Sequence, residues 1–521
     1  MMTTPGIHRS SLIFGLVIVS GIATTVLSAQ SISRVGKSFS CNNGTAVGFA
    51  CNSADLLSVL TPADMGASAG IELNDLWGWT DESTGREFAI VGRYDGTAFV
   101  EVTDPLNPVY VGELLSNSSD PSVWRDMKVY KDHAYIVSDG GGGFGMQVFD
   151  LRQLLASAPS PVTFEVTAQY DGFLTAHNIV INEDTGFAYV VGVRGLGETC
   201  GGGLHMINLE FPESPRFAGC FAHEGTGIAG TGYTHDAQCV VYHGPDTRYS
   251  GDEICFSANE TDISVDDVSD KAAPFAISRA SYPTASYIHQ GWLTEDHRYF
   301  VQNDELDEFN GRTPRTRTLF WDVQDLEDPF LISEYLASSG NPDHNLYVKG
   351  TYVFQSNYVA GLRVLDISDI ENPHEVAFFD THPAPGGGFG GSWSNYPFFK
   401  SGAIGVTSDK DGLFMVQPTI PGLKVSTESD ELPDELELAQ VYPNPFSSKT
   451  TLSFSVRRSQ PVRVVVYDLL GRELKTLFSG MANAGTEERV SVDASSLSGG
   501  TYYLRIQGDN FRLSRQVTIV K

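Results

Sequence analysis

Apolar and polar positions alternate along this chain in short runs that return at a spacing near fifty residues. Each return opens on a polar residue followed by a strand-like run. Four of them align as His177-Asn-Ile-Val, His235-Asp-Ala-Gln, His289-Gln-Gly-Trp and His344-Asn-Leu-Tyr, at intervals of 58, 54 and 55 residues. Two earlier runs put an acid in the same place, Asp75-Leu-Trp-Gly and Asp126-Met-Lys-Val, and a seventh begins at Trp393. A second run rich in aromatic and β-branched residues follows each opening, as in His133-Ala-Tyr-Ile-Val-Ser and Tyr352-Val-Phe-Gln. Such runs suit a pleated, half-buried surface. A third run (Gly145-Met-Gln-Val-Phe-Asp, Gly361-Leu-Arg-Val-Leu-Asp-Ile) leads into recurring turns such as Asp104-Pro-Leu-Asn-Pro and Asp369-Ile-Glu-Asn-Pro, and then a fourth strand. In these turns Asp bonds its own backbone and Pro presets φ.

Seven such four-strand units predict an all-β fold, a seven-bladed β-propeller over residues 30–420. The seventh unit stops after its third strand, Gly412-Leu-Phe-Met-Val, so its fourth is expected from the N-terminal run Leu56-Leu-Ser-Val-Leu. Closing a ring with strands from both ends removes exposed edges. Residues 421–437 lose the apolar period and turn acidic, which reads as a linker. Within 438–521 the alternating runs Thr451-Leu-Ser-Phe-Ser-Val and Val462-Arg-Val-Val-Val-Tyr predict a small Ig-like β-sandwich.

Charge narrows the function. Acids outnumber bases 64 to 34, a formal charge of −30 in 521 residues, which argues against nucleic-acid binding because phosphate contacts need Lys and Arg. Residues 1–29 read as a signal peptide: His8 and Arg9 precede an apolar stretch from Leu12 to Leu27, with small residues Ser28 and Ala29 at a cleavage site. No transmembrane helix is expected in the mature chain. Six cysteines fit an oxidising compartment, and fifteen pairings are open. The local ones are Cys41–Cys51, Cys200–Cys220 and Cys239–Cys255, and no Cys-x-x-Cys spacing points to a thiolate metal site.

The stretch from Asn74 to Pro418 resembles the choice-of-anchor B family, whose propellers carry repeats of the LVIVD kind. The matching segments include Gly96-Thr-Ala-Phe-Val, Arg125-Asp-Met-Lys-Val-Tyr, Asn303-Asp-Glu-Leu-Asp and Asn357-Tyr-Val-Ala-Gly-Leu-Arg-Val-Leu-Asp. The resemblance implies a secreted, surface-displayed propeller without an established reaction. The C-terminal segment looks like a type IX secretion sorting domain of type A, on Tyr442-Pro443-Asn444-Pro445-Phe, Val466-Tyr-Asp-Leu-Leu-Gly-Arg and Leu497-Ser-Gly-Gly-Thr-Tyr-Tyr. That implies export by the type IX machinery across the outer membrane, to the cell surface or beyond it.

Equivalent positions of a closed array face one axis. The channel-face candidates are therefore Asp75, Asp126, His177, His235, Asp236, His289, His344 and Trp393. Imidazole and carboxylate suit transition metals. His235, His289 and His344, with Asp236 or Glu305, form a candidate zinc-like site able to activate water. The plainer alternative is that these residues only fix unit packing. The acidic loop Asn303-Asp-Glu-Leu-Asp-Glu is a candidate for calcium, though it lacks the helix-loop-helix spacing. The glycine runs are not phosphate loops, since no Gly-Lys-Ser/Thr follows them. The favoured function is binding of an extracellular protein or glycan through the loop-rich face. The alternative is a metal-dependent extracellular hydrolase.

Overall fold

The computed structural model describes residues 33–521 except 119, 141, 157–160, 196, 384–386, 421–435, 443–445, 468–471, 487, 509–511 and 520. The signal-peptide region, most of the acidic linker, and Pro443, Asn444 and Pro445 lie outside the described residues. The fold is all-β; among the described residues the only helices are short 3₁₀ turns, and none is long and apolar enough to cross a membrane.

Seven antiparallel sheets, each built on a four-strand core, follow one another along the described chain. This is the arrangement of propeller blades. Their first strands are Leu73–Thr80, Trp124–Tyr130, Asn178–Asn182, Asp236–Val241, Ile288–Leu293, Leu346–Lys349 and Ser392–Tyr396. Each contacts the next, and the last contacts the first. Between successive sheets lies a buried apolar cluster that neither could close alone. Ile90 and Phe99 pack on Ile136 and Phe149, Val137 and Val148 on Ile179 and Val190, and Ile254 and Phe256 on Ile288 and Phe300. Leu413 and Met415 of the last sheet meet Leu76 and Ala89 of the first. Full burial of each such side chain contributes on the order of 1.5–3 kcal/mol, so the inter-sheet seams are the core.

The seventh sheet takes its outer strand from the N-terminal side: Ala54–Leu60 pairs antiparallel with Gly412–Pro418. Strands absent from the sequence reading extend two other sheets. Val162–Phe164 adds in parallel to Val109–Leu115. The hairpin of Thr45–Ala46 and Phe49–Asn52 adds to His374–Phe379. The Asp turns close on their own backbone. Asp104 Oδ1 accepts from Leu106 N at 3.0 Å, and Asp369 Oδ1 from Glu371 N at 3.2 Å. Disulfides join Cys41–Cys51, Cys200–Cys220 and Cys239–Cys255; the last ties residues directly opposite on adjacent strands. Beyond residue 435, a three-strand and a four-strand sheet share a core that includes Leu452, Phe454, Val464 and Leu504.

Candidate functional site

The four recurring histidines converge. His177, His235, His289 and His344 form an arc with successive ring centroids 4.4, 4.3 and 4.4 Å apart. Two tryptophans flank it, Trp393 at 4.8 Å from His344 and Trp124 at 6.3 Å from His177. The arc follows from topology: each ring stands at the start of a first strand, and first strands are neighbours. Backbone carbonyls fix the tautomers. His235 Nδ1 donates to the His289 carbonyl at 2.8 Å, and His344 Nδ1 to the Trp393 carbonyl at 2.6 Å. A carbonyl only accepts, so each of these neutral rings carries its proton on Nδ1 and keeps a lone pair on Nε2. Burial holds His235 and His289 well below the ordinary imidazole pKa and lowers His344 to about 3. His289 Nδ1 is buried without a partner. At the open end, His177 Nδ1 pairs with Asp139 Oδ2 at 3.0 Å.

His289, His344 and Glu305 each offer a ligand atom, all within 4.8 Å of one another. Burial pushes the Glu305 carboxyl up to about 7. Tyr358 donates its hydroxyl to Glu305 Oε1 at 2.5 Å and packs 4.7 Å from the His344 ring. Tyr358 has φ +43°, a conformation that non-glycine residues rarely adopt and that surrounding structure must enforce. This cluster lies in the wall of a cavity of about 1050 Å³, which also takes in Trp124, Arg194, Tyr233, Glu260, Tyr287 and Trp393.

The structure corrects the alignment of the two early acids. Asp75, Asp126 and Asp236 each accept a hydrogen bond from the next residue's N–H through Oδ1. The three are therefore equivalent to one another and stand one residue after the imidazole level. Their equivalents elsewhere are Asn178, Gln290, Asn345 and Ser394: Asp126 Oδ2 accepts from Ile179 N just as Gln290 Oε1 accepts from Leu346 N. Among the described residues the cation at this level is Lys128, whose Nζ lies 2.7 Å from Asp126 Oδ1 and 4.6 Å from the Trp77 ring centroid. Asp236 is thus tied into this inner level, and Glu305 is the carboxylate that joins imidazoles. His235 stands in the arc beside His289 but outside the close set of His289, Glu305 and His344. Tyr358, Tyr287 and Trp124 escaped the sequence reading, which did place the loop opening at Asp139 on this face. The usable signal was position, since Asp139 and Glu305 sit where the second strands His133–Asp139 and Tyr299–Asp304 end.

Residues 440–520 match the family model of the secretion system C-terminal sorting domain. No curated protein matches the chain. Solved structures that the chain partly resembles include PorZ, a surface component of the type IX secretion system of Porphyromonas gingivalis (12% identity, TM-score 0.42, covering 84% of this chain and 58% of PorZ). Others are a protein from Lactobacillus plantarum (10% identity, TM-score 0.42, 81% and 99% covered) and the C-terminal WD40 domain of Sif2 (10% identity, TM-score 0.40, 74% and 97% covered). This chain thus spans less than two thirds of the PorZ length. The sorting domain places the protein among those secreted through the outer membrane to the cell surface by the type IX system.

Proposed function

We propose that residues 30–420 form a seven-bladed propeller of the choice-of-anchor B kind, displayed at the cell surface, whose channel mouth captures an extracellular ligand. In this reading residues 1–29 are a removed signal peptide, 421–437 an acidic linker, and 438–521 an Ig-like sorting sandwich handled by the type IX machinery. The cyclic contacts of the first strands and the family-like segments from Asn74 to Pro418 support the propeller. The observation that carries the ligand-binding reading is the cavity of about 1050 Å³, ringed by aromatic faces and carboxylates. Its size suits a ligand. Aromatic platforms with hydrogen-bonding neighbours suit a glycan or a neutral to cationic protein segment. Trp124 is the anchor to test, since its side chain is 45% exposed at the rim. On arrays of glycans and basic peptides, Trp124→Ala is expected to weaken binding about thirty-fold, roughly 2 kcal/mol, with unchanged melting temperature. Binding that survives this substitution and also survives Tyr233→Ala sinks the reading.

A second reading, a metal-dependent extracellular hydrolase, is favoured by the His289, Glu305 and His344 set. His289, His344 and Glu305 would hold a zinc-like ion, which would supply the Lewis acidity that activates a water for hydrolysis. Protein purified without chelators is expected to carry one transition-metal ion per chain and to lose it in His289→Ala. Metal-free wild-type protein that takes up no added zinc removes the hydrolase.

A further inference from the structure

Behind Glu305 lies a second group of acids. Asp304 is saturated: it accepts from the Tyr282 hydroxyl, and from Ser286 N and Tyr287 N at 2.7 Å each. The next two acids are satisfied on one side only. Asp307 Oδ2 takes Arg317 Nε at 2.9 Å and Nη2 at 2.6 Å, while Asp307 Oδ1 is buried without a partner. Glu308 Oε1 takes Arg317 N at 3.0 Å, while Oε2 is buried without a partner. Across from them Asp343 is fully buried, and neither of its carboxylate oxygens has a hydrogen-bond partner. The charges that bear on Asp343 are, in order, Glu308, Asp307, Asp304 and Glu305.

Four buried, unpartnered carboxylate oxygens from three residues are not a stable arrangement. A buried charge with no partner costs several kcal/mol, and Arg317 is already committed to Asp307 and, at 3.6 Å, to Glu334. Two occupants can meet such oxygens, shared protons or a hard cation. The division of labour favours the cation. Asp307 and Glu308 each spend one oxygen on holding the turn at 305–311 and leave the other without a donor, the two carboxyls lying within reach of each other, as metal ligands do when neighbouring hydrogen bonds orient them. Oxygen-only donors select calcium over softer ions.

We propose that Asp343, Asp307 and Glu308 bind a calcium ion that pins the turn at 305–311, and with it Glu305, against the segment entering His344. These carboxylates are spread more widely than the His289, Glu305 and His344 set, so binding should draw the turn inward. The site is distinct from the imidazole arc: it uses carboxylate oxygens alone. Asp307 and Glu308 are neighbours in the acidic loop, whereas Asp343, 35 positions beyond Glu308, joins them only in the fold.

The test uses the full mature protein stripped with EDTA and titrated with calcium chloride alone, read by calorimetric titration and thermal unfolding. One calcium per chain and a Tm rise of roughly 3–5 °C at hundred-fold excess over Kd are expected. Asp343→Asn, which keeps shape and removes charge, should lose both, while His289→Ala keeps both. If wild type shows no calcium-dependent heat or Tm shift, the carboxylates share protons and the proposal fails. The proposal also fails if Asp343→Asn binds calcium like wild type. Should Asp343→Asn not fold, Glu308→Gln replaces it with the same two outcomes.

Discussion

Asp236 shows what one buried side chain does to the whole. Burial pushes its carboxyl up to about 8; Lys128 pulls it down and Asp126 adds to the rise. Asp75, raised mainly by burial and then by Asp126, lies at about 6. Both values exceed the ordinary carboxylate value of 3.8, so between about pH 4 and 8 the folded state holds protons that the unfolded chain has released. Stability therefore falls as pH rises through that window and levels off above about 8. Asp236→Asn is expected to flatten the fall and to raise the melting temperature at pH 8, checked by thermal unfolding at half-unit pH steps; a pH profile identical to wild type would show that Asp236 is ionised in the fold. Residue type and rough position were legible in sequence for these acids. Their level was not, because adjacent strand positions look interchangeable until hydrogen bonds such as that from Ile179 N to Asp126 Oδ2 fix the register.

At the scale of elements, strand identity was the easiest reading. The runs at His133–Asp139 and Tyr352–Ser356 are strands because aromatic and β-branched side chains fill the seams between sheets. The short additions at Val162–Phe164 and Thr45–Ala46 carry little alternation, and tertiary edges recruited them. Ala54–Leu60 holds together what would otherwise be a free edge on the last sheet. Leu56 is fully buried in it, among Phe354, Phe379, Phe414 and Val416. Leu56→Ala is expected to cost about 2–5 kcal/mol in denaturant unfolding. A cost below about 1 kcal/mol would mean that the strand contributes little to closure.

For the whole molecule, the acidic balance of 64 to 34 and the sorting segment at residues 440–520 agree with a life outside the cell. Sequence alone determined the all-β class, the fifty-residue period and the export segment, because each is written in neighbouring residues: alternation, turn chemistry, a contiguous motif. The tertiary structure decided which imidazoles stand side by side, that Glu305 and not Asp236 joins them, and that Asp343 faces Asp307 and Glu308. Those are relations between distant segments. They depend on register, on where second strands end, and on which buried oxygens are left without a donor, and local patterning carries none of these.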